Sequence, residues 1–158
     1  PNLVIAINGG ITTNAQMAEH LQHVDGVMLG REAYYNPWLL TTWDAAFYND
    51  AHAIPTREAV EEMMVAYMER AFKEDGCPWY PIARHMLGLY HGERGSRLWR
   101  QVWSNHKLKP LPPREVWQIA REALARGAAV PPDRQEMQGD SAETEKLHQE
   151  PQEAPHAH

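Results

Sequence analysis

Two glycine loops and a cluster of arginines are the residues here whose types and spacing can do chemistry. Asn8-Gly9-Gly10 and Gly30-Arg31 each end a short apolar run. Glycine lets the backbone approach an anion closely and present its N–H groups with no Cβ in the way. Arg31 would add charge-assisted hydrogen bonds to the same anion. The pair reads as a phosphate site, although a tight strand-to-helix turn, where glycine is the ordinary choice, explains either loop alone. Arg97 and Arg100 stand three residues apart, opposite Leu98, Trp99, Val102 and Trp103. They belong to a basic island: residues 84–126, which Arg84 opens, carry nine Lys and Arg against three Asp and Glu. The flanks are acidic and the whole chain carries −6. Such asymmetry fits a polyanion-binding surface, with a solvated helix face as the plainer alternative.

Other reactive side chains read more simply. The single cysteine, Cys77, excludes a disulfide framework and a cysteine-built metal centre. Beside Pro78 and Trp79 it reads as a small hydrophobe, so no catalytic role is assigned to it. Trp99, Trp103 and Trp117 recur at helical spacing and are expected in the core rather than stacked on bases. His85 either faces a phosphate or is packed and hydrogen-bonded. Tyr34-Tyr35-Asn36-Pro37 is expected to close a rim, and Asp44 and Asp50 to lie on the surface without an acid–base partner. His148, His156 and His158 show no metal spacing. No catalytic residue and no metal ligand is assigned.

The elements that must position these residues follow from hydropathy patterning. Leu3-Val4-Ile5-Ala6-Ile7 lacks polar alternation, which predicts a strand buried on both faces of a parallel sheet. Thr13 is the N-cap of a helix over Asn14 to His23 burying Met17 and Leu21, and Gly26–Leu29 is a second strand. The result is a βαβ unit. Trp38 to Phe47 is then helical, and Thr56 caps a long helix ending at Gly76. That helix buries Val60, Met63, Met64, Tyr67, Met68, Ala71 and Phe72, with Glu58, Glu61 and Glu62 at its dipole-favoured start. Further helices are predicted over Pro81–Tyr90, over Ser96–Asn105 and from Pro113 to a stop at Gly127. From Ala129 the composition turns polar and acidic, which predicts a disordered tail. The 158 residues, 43% hydrophobic, suit one domain or two small ones. No apolar run reaches the roughly 20 residues of a membrane span, so a cytoplasmic protein is expected.

Ile7-Asn8-Gly9-Gly10-Ile11 and Gly26-Val27-Met28-Leu29-Gly30-Arg31-Glu32-Ala33, followed by Asn36-Pro37-Trp38, resemble the final barrel strands of the tRNA-dihydrouridine synthases. Arg84-His85-Met86-Leu87-Gly88-Leu89 and Gly95-Ser96-Arg97-Leu98-Trp99-Arg100 resemble that family's helical tRNA-binding domain, in its A-type branch acting on D-loop positions 20 and 20a. The resemblance implies an α/β part holding the last two strands of a TIM (β/α)8 barrel (residues 1–50), an all-α helical bundle (51–128) and the acidic tail (129–158). It implies an FMN-dependent reductase of tRNA uridine with NADPH as reductant, monomeric when complete. Asn8, Gly9, Gly10, Gly30 and Arg31 would hold the FMN phosphate; Arg97, Arg100 and Arg84 would touch tRNA. Cys77 matches no family cysteine, so the chain alone is expected to be inactive. The rival readings are a stand-alone tRNA-binding module and part of another FMN-barrel oxidoreductase.

Overall fold

The computed structural model describes residues 3–130, and the expected acidic tail lies almost entirely outside them. Strand β1 (Ala6–Asn8) pairs in parallel with β2 (Gly26–Met28), with Asn8 opposite Met28. Helix α1 (Asn14–His20) connects them. It starts where predicted because Thr13 and Gln16 form a reciprocal capping box. It ends three residues early, so Met17 is buried while Leu21 is exposed. The strand expected over Leu3–Ile7 is shorter and its double burial fails: Leu3, Val4 and Ile5 precede β1 and are exposed, and the sheet has only two strands among the described residues.

The connecting segment holds α2 (Arg31–Tyr35), a 3-10 turn (Pro37–Thr42) and α3 (Trp43–Phe47). The helix expected over Trp38–Phe47 is thus divided, its first half a 3-10 turn headed by Pro37 and its second half α3. Helix α4 (Arg57–Asp75) begins at Thr56, whose hydroxyl accepts from the Ala59 N–H, and ends at Gly76 in the left-handed region (φ 66°). Its buried face overlaps the expected one at Met68 and Ala71, with Val60 and Met64 partly buried, but is rotated toward Glu61 and Val65. Glu61, Val65, Met68 and Ala71 are buried, whereas Met63, Tyr67 and Phe72 are exposed.

The predicted Pro81–Tyr90 helix is instead α5 (Trp79–Ala83), a 3-10 turn (Arg84–Met86) and further turns. Within those turns Gly88 is spent on a backbone contact: a Cβ there would meet the Tyr35 carbonyl oxygen at 2.4 Å. Helix α6 (Ser96–Trp103) and helix α7 (Pro113–Ala129) complete the order, with a 3-10 turn (His106–Leu108) between them. α7 runs past Gly127, which is no stop signal. A Cβ on Gly127 would lie 2.5 Å from the Gly95 Cα, and one on Gly95 2.2 Å from the Leu124 carbonyl oxygen. The two glycines let α6 start directly on the backbone of α7.

The main core lies between α4, α5, α6 and α7. Val65, Met68, Trp79, Ala83, Trp99, Trp103, Val116 and Ala120 form one cluster, with Met86, Leu89 and Tyr90 from the intervening turns. Trp99 and Trp103 are buried as the sequence predicts, and Trp117 packs partly buried against them. Each large side chain removed from water here contributes roughly 1.5–3 kcal/mol. No helix among the described residues is long and apolar enough to cross a membrane.

Candidate functional site

The first candidate site is the edge where β1 and β2 end. Because Asn8 pairs with Met28, the loops after the two strands emerge side by side, one strand spacing apart. Gly9 and Gly10 both adopt positive φ (136° and 66°), a conformation that side chains rarely tolerate. A Cβ built on Gly9, Gly10 or Gly30 would meet nothing within 4 Å. That open space is what an anion seated on the backbone requires. Gly30 is the N-cap of α2 and supplies no side-chain acceptor, so the first N–H groups of α2 have no side-chain cap. Asn8 and Arg31 are exposed at the same edge. The start of α1 is fixed by Asn14, whose amide donates to the Thr42 hydroxyl (2.7 Å) and whose Oδ1 accepts from the Trp43 indole (3.1 Å).

The second candidate site is the polar side of α6. Arg97 and Arg100 are exposed, as is Arg84 on its 3-10 turn. Other arginines of the basic island are committed elsewhere. Arg114 grips Glu69 through two bonds of 2.9 Å, and Arg121 reaches Glu58 at 2.8 Å and Glu61 at 3.6 Å. Arg84, Arg97 and Arg100 have no carboxylate within 4.0 Å among the described residues. Their charges are unspent.

Glu61, which the sequence reads only as a helix-start carboxylate, holds this face in place. It is fully buried and accepts from the Trp99 indole at 2.6 Å and the Tyr90 hydroxyl at 2.9 Å. Burial pushes its carboxyl above the ordinary carboxylate range, opposed by hydrogen bonds from Trp99 and Tyr90, the nearby Trp117 indole and the charge of Arg121. Burial and the neighbouring Glu61 likewise raise the Tyr90 hydroxyl. The bond from Trp99 ties the apolar side of α6 to α4 and so turns Arg97 and Arg100 outward. A carboxylate on an otherwise apolar stripe is the only sequence signal that could have found this arrangement.

The remaining expectations resolve plainly. His85 is hydrogen-bonded: its Nδ1 lies 3.1 Å from the Tyr34 hydroxyl. Tyr34, Tyr35 and Pro37 meet the helical part, since Tyr34 reaches His85 and Gly88 seats against Tyr35 and Pro37. Asp44 and Asp50 do have a neighbour, His52, at 3.7 and 3.4 Å on the surface. Cys77 is half-buried and bonds weakly to the Pro78 carbonyl (3.7 Å). Among the described residues no cluster of three or more His, Cys, Asp or Glu could hold a metal ion.

Comparison with known proteins brings these two sites into one frame. The family model described as dihydrouridine synthase (Dus) matches residues 1–124. The chain belongs to the dihydrouridine synthase family. A tRNA-dihydrouridine(20/20a) synthase of Shewanella oneidensis is 44% identical over 124 residues, covering 78% of this chain and 37% of the relative. The protein of the same name from Synechocystis is 39% identical over 123 residues (78% and 36%), and that from Pseudomonas aeruginosa 43% over 126 (79% and 37%). The chain thus spans little more than a third of the length of these curated relatives. The parallel β1–α1–β2 unit is consistent with part of the barrel that the dihydrouridine synthase family implies.

Proposed function

We propose that this chain supplies the flavin-phosphate edge and the tRNA-docking helices of a tRNA-dihydrouridine(20/20a) synthase, a cytoplasmic reductase of D-loop uridines using FMN and NADPH. The observation that carries the reading is the division of the basic island. Arg114 and Arg121 are spent on carboxylates, while Arg84, Arg97 and Arg100 stay exposed and unpaired among the described residues. Unpaired arginines on a rigid helix position a phosphate backbone. The relatives' printed names supply the substrate class.

The residues at the strand edge fit a flavin phosphate. Gly9, Gly10 and Gly30 leave room for it, backbone N–H groups would bond its oxygens, and Arg31 would balance its charge. When bound there, FMN supplies the hydride chemistry that no side chain here provides. Residues 1–50 are the barrel part and 51–128 the tRNA-binding part in this division. Two strands with exposed faces do not enclose a flavin ring, and half-buried Cys77 sits between α4 and α5, away from the strand edge in the chain order. These 158 residues alone are therefore inactive in this reading.

The test is tRNA affinity across a salt series. Arg97→Ala and Arg100→Ala should each weaken binding of unmodified tRNA and flatten the log-affinity against log-salt slope by roughly 0.7–0.9 per lost phosphate contact. Lys73→Ala, an exposed cation on α4 outside the island, should change neither. Identical slopes for all the variants and the parent would return this face to plain solvation.

A further inference from the structure

A cavity of about 250 Å³ opens between α5 and the end of α6, apart from the strand edge. Its exposed aromatic wall is Tyr80, beside half-buried Leu87, over a floor formed by the buried edges of Trp79 and Trp103. Its rim carries Arg84, His106 and Lys109, and no carboxylate lines it. None of these three side chains has a carboxylate within 4.0 Å among the described residues. The Lys109 ammonium is held over the Tyr80 ring, 4.3 Å from its centroid, which fixes a charge at the opening. Aromatic walls under a cationic mouth suit a ligand with a flat apolar body and an anionic attachment. The volume falls short of the roughly 300–1,000 Å³ of ordinary ligand sites, which favours something as small as one base.

We propose that this cavity takes a single unstacked nucleotide of the bound RNA, its base against the aromatic walls and its phosphate between Arg84 and Lys109. The proposal rests on the tRNA reading above and adds a specific subsite to it. Continuity of the surface supports RNA over an acidic peptide. Ser104, which lines the cavity, lies seven residues beyond Arg97 and four beyond Arg100, so all three share one stripe of α6 and its last turn. An RNA strand lying along the two arginines would arrive at the cavity about 10 Å further on. His106 adds ring donors at the same mouth.

Stacking and charge leave different signatures, and these make the experiment. Binding of an unmodified tRNA transcript to the protein would be measured across a salt series. Tyr80→Ala removes aromatic wall, and Ser104→Leu crowds the mouth from an exposed position that the core does not use. Both should weaken binding by roughly 5- to 150-fold, the worth of one base stack, at unchanged salt slope. Arg84→Ala and Lys109→Ala should instead flatten the slope by roughly 0.7–0.9 each. If Tyr80→Ala perturbs folding by circular dichroism, Ser104→Leu decides. Wild-type affinity for Tyr80→Ala and Ser104→Leu beside weakened Arg97→Ala and Arg100→Ala overturns the pocket and leaves the tRNA reading standing. Wild-type affinity for every variant overturns both. Loss of polyglutamate binding in Tyr80→Ala and Ser104→Leu, with tRNA binding intact, would make the pocket a peptide site and equally overturn the proposal.

Discussion

Glu61 concentrates the residue-scale energetics of this molecule, because a buried carboxyl is tolerable only while its donors remain. Trp99 and Trp103 are both buried in the same cluster, but only the Trp99 indole reaches Glu61; the Trp103 N–H has no partner among the described residues. Trimming each to phenylalanine removes similar volume, so the difference between them isolates the bond. Trp99→Phe should destabilise by about 1.5–3 kcal/mol more than Trp103→Phe in urea unfolding, the range for a hydrogen bond to a charged group. Equal losses would show that Glu61 does not depend on Trp99. A second prediction concerns pH. Burial raises the Glu61 carboxyl, so on raising pH the unfolded chain loses this proton first, near its ordinary value of about 4.5. The folded state then holds more protons than the unfolded one, and stability falls as pH climbs from there through the raised value. Glu61→Gln should remove that decline. Unfolding free energies at several pH values between 4 and 7 test it, and parallel curves for parent and variant would refute it.

Elements whose ends are set by neighbours in sequence were legible, and those set by distant partners were not. Thr13, Thr56 and Gly76 mark helix ends within four residues, so reading them needs no tertiary knowledge. The buried face of α4 depends on Tyr90 and Trp99, 29 and 38 residues beyond Glu61, and the apolar stripe misplaces it. The exposure of Arg97 and Arg100 was legible because α6 has one clear apolar side, whereas their lack of carboxylate partners was not. The cavity beside Arg84 was not, since it joins Tyr80 to Lys109 across four elements. Glycine is ambiguous for a similar reason: as a stop it acts on its own helix, while as a contact it acts on another. Gly127 and Gly95 are contacts, and Gly95 also sits at φ 83°. Gly127→Ala would press a methyl group onto the Gly95 backbone and lever α6 away from α7. The expected cost is about 1–3 kcal/mol, the usual range for overpacking, with helical content retained. A variant as stable as the parent would mean that the two helices separate freely at this point.

At the scale of the whole molecule, the strand edge and the helices are the two working bodies in the proposed reading, and a few named contacts join them. Tyr34 meets His85, Arg57 lies 4.3 Å over the Trp38 ring and donates to the Leu89 carbonyl, and Gly88 receives Tyr35 and Pro37. Of these the Gly88 contact is the least adjustable, because a Cβ would strike a backbone carbonyl oxygen rather than the end of a flexible side chain. The geometry matters for function in the proposed reading: a uridine must reach the flavin held at the strand edge while its tRNA is docked on α6, so the spacing between the two bodies has to be fixed. Gly88→Val should break that spacing without touching either site. The helical core does not use Gly88 as a packing side chain, so the circular dichroism of α4 to α7 should persist. The segment from Tyr48 to Pro55, which has no helix or strand of its own, should then lose support from both sides. Limited proteolysis there should accelerate by an order of magnitude or more, because cleavage follows the population of the opened form. A cleavage rate equal to the parent's would show that Tyr34, Trp38 and Arg57 suffice to hold the bodies together, and that the glycine of the Arg84–Leu89 motif serves the turn alone.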